Sequence, residues 1–571
     1  MGRKTTRAVA AAVLVTALLA LAGGLIAVGL ANRETDRQRL RSESRLRKDL
    51  EAVERLLTRT SHGQLEDLPR MDSLRTGLLE AEHICRQGLS VIDRLTPRAP
   101  SDPRFQRERA TILEMLGEIL DRLDRTDEAE AAYRKAIETR GPVIMKDPTS
   151  GEDRWRAALC FDHVGVMLHR AGRWEEAEHF LFRGRKLCEV APPSMPIDPR
   201  VRQELVPILC HLSHVQMDRG RRSEALQGFA DAVEVQKALA AASPQIGAHR
   251  ENLVVLSIDQ AKALAAEGQS VAAERTLAEA RELALRLRND DPAITRHHEL
   301  AASVLNDLAS VIRTDPSRAD EAREILNQAI AIQEGLVAIS PSVSKYRSKL
   351  ASMCDGLAAL LRARNAFVEA ESLYRKALSF QSRLAAEQPQ IVAYQYGHGQ
   401  ILHNLADLLR ERGRAEEALP VQREAVRWLG SIYRSNVKNP DFRRAVSYAD
   451  WTLTAILIDR KDHLAASQTV VEYLRIEPNG YEESSEAAAF LCRCAELGRD
   501  DRSVPVRDQE SLSRTYADRA MDALRIAVRN GYRDAKTLRT DTTYKPLHAR
   551  DDFRRLVREI EAMTGTHDEL P

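Results

Sequence analysis

EAEAAYRKA at residues 128–136 and EAEHFLFRG at residues 176–184 decide how this chain folds. Both fit the pattern [EA]-A-x-x-x-[YFL]-x-x-[AG]. The first alanine recurs at Ala129, Ala177, Ala225, Ala273, Ala322 and Ala370, in steps of 48, 48, 48, 49 and 48. Ala418 follows in register with Gln422 in the large apolar slot, and Ala466 and Ala81 extend the series with weaker surroundings. Four positions on stand Tyr133, Leu181, Phe229, Leu277, Leu326 and Tyr374. Seven positions on stand Ala136, Gly184, Ala232, Ala280, Ala329, Ala377 and Ala425. Positions i, i+4 and i+7 share one face of an α-helix. Small, large, small on that face lets a second helix approach closely.

A second apolar stripe lies upstream of the alanine, as in Ile112, Met115, Leu116, Ile119 and Leu120. Gly172, Gly220, Gly268, Asn365 and Gly413 separate the two stripes, where a helix C-cap needs positive φ. Pro100, Pro148, Pro196, Pro244, Pro292, Pro341 and Pro389 follow the second stripe and end it. Each unit is therefore a helical hairpin. One hairpin leaves its apolar face uncovered, and stacking several covers it, so an all-α solenoid with a 48-residue period is expected.

Composition agrees. The chain has 571 residues, 43% apolar, 30% charged and 5% aromatic, which fits a folded helical protein and not a disordered one. Its 85 basic and 84 acidic residues nearly cancel, which gives no electrostatic reason to expect nucleic acid. Seven cysteines over this length make no disulfide framework.

Residues 8–32 carry no charge and are long enough to cross a hydrocarbon core of about 30 Å, which predicts a transmembrane signal anchor. Arg3, Lys4 and Arg7 precede the span, and seven Lys/Arg lie between Arg33 and Lys48. Ala20/Gly24 and Gly23/Ala27 have a spacing that packs two helices, and ordinary membrane-helix composition explains it equally, so a homo-oligomer stays open. The expected layout is a tail at 1–7, the anchor at 8–32, a juxtamembrane helix at 33–60, the array at 61–478 and a C-terminal helical cap at 479–571. Within the cap, Tyr481–Leu497 reads as one helix, 499–508 as a loop and 511–562 as short helices.

The spacing of small and large residues resembles the tetratricopeptide repeat. Leu116, Gly117, Ala129, Tyr133 and Ala136 fall at that family's offsets. So do Gly165, Trp174, Ala177 and Leu181, and Leu357, Ala370, Tyr374 and Ala377. A period of 48 in place of the family's shorter one implies longer helices. The whole chain is also similar to the membrane-span-plus-repeat portion of planctomycete-type bacterial Ser/Thr protein kinases. Leu50–Arg59, the array, and the segment from Tyr516 through Gly531-Tyr532-Arg533-Asp534 to Asp552-Phe553 carry that resemblance. It implies repeats outside the membrane. It also implies a sensory or regulatory role beside a kinase domain encoded elsewhere. No His-Arg-Asp, Asp-Phe-Gly or phosphate-binding loop is present, and Gly397-His398-Gly399 lies inside a repeat helix, so no kinase activity is expected.

No cofactor is expected. His211 and His214 are three apart beside Cys210, yet no further pair falls at metal spacing. Cys492, Cys494 and the repeat cysteines read as buried apolar residues. Glu175-Glu176 and Glu416-Glu417 fall at helix starts, where they meet the helix dipole. Repeat solenoids bind on the concave face. Projection of the repeat places Glu114, Glu118, His169, His214, Asp355, Arg362, His403, Asp407 and Arg410 there. The expected function is a membrane-anchored, non-catalytic scaffold for a protein or peptide partner.

Overall fold

The computed structural model describes residues 71–95, 103–189, 197–476 and 480–564. Among these residues all regular structure is helical and no strand occurs. The chain divides into two compact units, one ending at Thr314 and one starting at Asp315. The first holds α1 (Met71–Leu95), α2 (Pro103–Arg122), α3 (Thr126–Lys146), α4 (Gly151–Arg170) and α5 (Trp174–Glu189). It continues with α6 (Pro199–Asp218), α7 (Arg222–Ala242), α8 (Gly247–Ala266), α9 (Ser270–Asp290) and α10 (Thr295–Ile312). The second unit opens with a short 3₁₀ turn, Pro316–Arg318. Then come α11 (Ala319–Ile339), α12 (Ser344–Ala363), α13 (Phe367–Glu387), α14 (Val392–Glu411), α15 (Ala415–Ser435), α16 (Pro440–Asp459) and α17 (His463–Ile476). It closes with α18 (Tyr481–Asp500), α19 (Val506–Arg529), α20 (Ala535–Thr540), α21 (Lys545–His548) and α22 (Asp551–Thr564).

The pattern alanines are all fully buried, Ala129, Ala177, Ala225, Ala273, Ala322, Ala370, Ala418 and Ala466 alike. Their large partners Tyr133, Leu181, Phe229 and Tyr374 are buried beside them. A glycine in the first helix of a hairpin makes room for that large side chain. A Cβ at Gly117 would sit 2.9 Å from the Tyr133 ring, and one at Gly165 would strike Leu181. The signature glycine and the signature aromatic are therefore one packing contact seen from two helices.

The hairpin turns repeat as strictly. Positive φ occurs at Asp124, Gly172, Gly220, Gly268, Asn365, Gly413 and Lys461, one slot per repeat. Glycine takes it without penalty, and Asp124, Asn365 and Lys461 hold it as non-glycine residues. The slot fails once, at Ser317. There the single 49-residue step adds a residue, and the 3₁₀ turn replaces the left-handed one. The expected loop at 499–508 shrinks to the residues between α18 and α19, because Pro505 caps α19 and lets helix begin at Val506.

Two further ties recur. At the end of a second helix, Gln236 Nε2 donates to the His249 carbonyl at 2.7 Å, Gln333 to that of Tyr346 at 2.9 Å, and Gln381 to that of Tyr394 at 2.9 Å. Each spans 13 residues and pins one hairpin to the start of the next. On the outside, the arginine just before a second helix bridges two glutamates. Arg125 holds Glu128 of its own helix and Glu82 of the preceding repeat, both at 2.7 Å. Arg173 repeats this with Glu176 and Glu130, and Arg414 with Glu417 and Glu371.

The expected single-pass membrane location, with the array outside the membrane, is corrected. Among the described residues no helix is long and apolar enough to cross a membrane. Each repeat helix keeps an apolar stripe for its neighbours and charged residues elsewhere, so no uninterrupted apolar run develops. The segment 8–32 that carried the expectation, with 1–7 and 33–60, lies outside the described residues.

Candidate functional site

The first helices of the hairpins carry a half-buried polar face whose side chains pair from one repeat to the next. His169 on α4 meets Asp218 on α6 at 2.6 Å, and Asp162 on α4 meets His211 on α6 at 2.7 Å. In the second unit, Asn404 on α14 donates to Asp355 on α12 at 2.9 Å, and Arg362 on α12 donates to Glu411 on α14 at 2.7 Å. Arg410 on α14 lies 3.7 Å from Asp459 on α16. Each of these pairs is separated by 49 residues, one repeat plus one position. Neighbouring first helices are thus offset so that position x of one faces position x+1 of the next.

Of the nine residues expected on one face, Arg362, Asp407 and Arg410 come together. Arg362 donates to Asp407 at 2.6 Å, and Arg410 donates to Asp407 at 3.2 Å while its guanidinium lies 5.9 Å from the centre of the Trp451 ring. Hydrogen bonds to Glu411, then Asp407, push the Arg362 guanidinium above its usual range. Asp355 holds Asn404, and His403 contacts Gln422 at 3.2 Å. Burial lowers the His403 imidazole and keeps it neutral. His169 pairs with Asp218, Glu118 with Arg122 of its own helix, and His214 with the Cys210 carbonyl at 2.9 Å.

Glu114 occupies a different environment. It is buried, accepting from Arg156 at 3.0 Å and from Arg140 at 3.4 Å. Burial raises its carboxyl to about 6 despite both guanidiniums. Its repeat position belongs to the face, but the two arginines close over it, so Glu114 is a packing residue and not a surface ligand. Sequence reasoning missed Asp162, Asp218, Asn404, Glu411 and Asp459. Their signal was present: a polar residue 49 positions after another polar residue of a first helix.

The face offers little nucleophilic chemistry. All seven cysteines are buried and free. Burial pushes Cys354 up to about 11 and Cys85, Cys188 and Cys494 up to about 12, which leaves inert thiols. In the second unit three carboxylates, Asp407, Glu411 and Asp459, meet two guanidiniums, Arg362 and Arg410, while Asp355 accepts from the Asn404 amide. The pairs of the first unit set aspartates against histidines. Lys262 on α8 also meets Asp307 on α10 at 3.3 Å, so an excess of carboxylates is seen only among the paired groups of the second unit.

Residues 110–141 and residues 399–427 each match the tetratricopeptide repeat family. No curated protein matches the chain. Among solved structures, BtubC from P. vanneervenii is 18% identical, with 47% of this chain and 93% of that one covered at a TM-score of 0.36. A signal transduction ATPase with a tetratricopeptide repeat sensor from Pyrococcus horikoshii is 12% identical, with 84% and 73% covered at a TM-score of 0.42. The hypoxic regulator of sterol synthesis Nro1, a nuclear import adaptor, is 12% identical, with 56% and 98% covered at 0.36. Two stretches of the helical array, residues 110–141 and 399–427, are thus identified as tetratricopeptide repeats.

Proposed function

We propose that this chain is a non-catalytic scaffold that binds a protein or peptide segment rich in Lys or Arg along the polar face of its first helices. Tetratricopeptide repeats generally mediate protein–protein interaction, and two matched stretches lie here. One observation carries the reading further. The half-buried polar groups of the face are already fixed, pair by pair, by partners 49 residues away. Side chains ordered in advance lose less freedom when a ligand arrives. The carboxylates that outnumber guanidiniums on the second unit's face select a cationic segment and steer its approach. The sensory role beside a separately encoded kinase rests on sequence resemblance alone.

The test is retention of the full chain on arrayed peptides, Lys/Arg-rich against Asp/Glu-rich, at low and high salt. Retention by the cationic set that falls with salt and with Asp355→Asn plus Asp407→Asn supports the reading. Equal retention by acidic peptides, or indifference to both substitutions, overturns it.

A further inference from the structure

The geometry points to a transition-metal site at Cys210, His214 and Asp259, suited to Zn²⁺ and bridging two successive repeats of the first unit. Cys210 and His214 stand one turn apart on α6, and Asp259 comes from α8, 49 residues after Cys210. The cysteine sulfur lies 3.7 Å from His214 Nδ1 and 3.8 Å from Asp259 Oδ2. One ligand atom from each residue falls within 4.8 Å of the other two. A tetrahedral zinc, with bonds of about 2.3 Å to sulfur and about 2.0–2.2 Å to nitrogen or oxygen, spaces its ligands by about 3.3–3.7 Å. A contraction of up to about 1.5 Å between ligand atoms closes the set.

Contacts of 3.7–3.8 Å to sulfur are weak, so three groups with lone pairs converge without satisfying one another. Their surroundings are built. His214 Nδ1–H donates to the Cys210 carbonyl at 2.9 Å, which sets the ring edge-on to Phe229 and leaves Nε2 as the nitrogen with a lone pair for the metal. Cys210 is buried, while His214 and Asp259 are half-buried and give an ion a way in. All three sit on helices and not on loops, which fixes their spacing. Sulfur, imidazole and carboxylate together favour Zn²⁺ or Co²⁺ over Mg²⁺ or Ca²⁺. Binding forms the metal–sulfur bond and releases the thiol proton to water. Three protein ligands leave a fourth position for water or for a donor atom of a bound partner. The pair His211–Asp162 beside it is already closed at 2.7 Å and does not supply that ligand.

The experiment is titration of the chelator-treated full chain with Co²⁺ alone, followed by optical spectroscopy. The expected result is one equivalent giving the strong visible bands of tetrahedral cobalt and a thiolate-to-cobalt charge-transfer band, both bleached by Zn²⁺. Cys210→Ser removes the charge-transfer band, and Asp259→Asn weakens binding by about tenfold or more. Cys354→Ser, a buried thiol elsewhere, leaves both unchanged. Circular dichroism melts confirm that each variant folds. Weak octahedral bands only, or a charge-transfer band that survives Cys210→Ser in a folded protein, overturns the assignment.

Discussion

The hairpins of α2–α6 and those of α11–α15 share one pattern but bury different chemistry. Within α2–α6 the interior holds the charged Glu114, Arg140, Asp153, Arg154, Asp162 and Glu204 beside the neutral Ser213 and Gln216. Within α11–α15 the buried polar groups are Gln333, Ser344, Gln381, His398 and Gln422. The contrast is sharpest at one slot, eleven residues after the pattern alanine. Gln236, Gln333 and Gln381 stand there in later repeats, and Arg140 stands there in the earlier one. Arg140 makes the same 13-residue tie, to Asp153 at 2.9 Å, and adds Thr111 at 3.0 Å. The fold accepts a charged or a neutral donor at that slot and does not require one, since Cys188, Ala284 and Leu429 stand there in other repeats. The neutral tie rests on a backbone carbonyl that no substitution removes. The charged tie is part of a cluster in which Arg107 also holds Asp153 and Arg156 also holds Glu114, which keeps the buried charges paired.

That difference is open to measurement. Arg140→Ala removes buried hydrogen bonds to Asp153, Thr111 and Glu114 and leaves a cavity, while Arg107 still holds Asp153 and Arg156 still holds Glu114, and is expected to lower stability by about 2–4 kcal/mol in denaturant unfolding of the full chain. A loss below about 1 kcal/mol would show that the ionic tie is no stronger a constraint than the neutral one. Gln333→Ala removes a single buried hydrogen bond to a carbonyl inside α12, for an expected loss of about 0.5–1.5 kcal/mol. A loss equal to that of Arg140→Ala erases the contrast.

The charged interior also titrates. Burial, then the nearby Asp162 and Glu114 carboxylates, raise Glu204 to about 8. Folded, it keeps its proton to a higher pH than it does unfolded. Its contribution to stability is therefore complete below the ordinary glutamate range and declines as pH rises from about 4.5 to about 8. Glu204→Gln should flatten that decline and stabilise the chain by roughly 1–2 kcal/mol at the alkaline end. Thermal melts across the range check it, and an unchanged slope refutes it. The smallest effect is expected outside. Arg414→Ala breaks an exposed pair with Glu417 and a half-buried one with Glu371 and should cost the least of these changes in denaturant unfolding, less still in high salt.

Much of this was legible in the sequence. The alanine register placed the hairpins, and the glycine slots placed their left-handed turns, since both follow from the geometry of one helix and its cap. The polar face was legible only in part. A periodicity says which side of a helix a residue occupies, and it put Glu114 and Asp355 in equivalent positions. It does not say what reaches over from a neighbouring helix, and Arg140 and Arg156 bury the first but not the second. The third ligand beside Cys210 and His214 was missed for the same reason. It is remote in sequence and arrives through the offset between first helices.

The 49-residue rungs have a bearing on how such a chain can change its length through gene copying. Excising or duplicating one full period joins equivalent positions and restores the rung at the new junction. Adding one residue inside a first helix rotates everything after it by about 100° and parts every rung that crosses the point. The one extra residue that this array did absorb lies between Ile312 and Ala319, in the turn where the left-handed slot gives way to a 3₁₀ turn. Copy number is thus free to drift in whole repeats, while the phase of the first helices is locked.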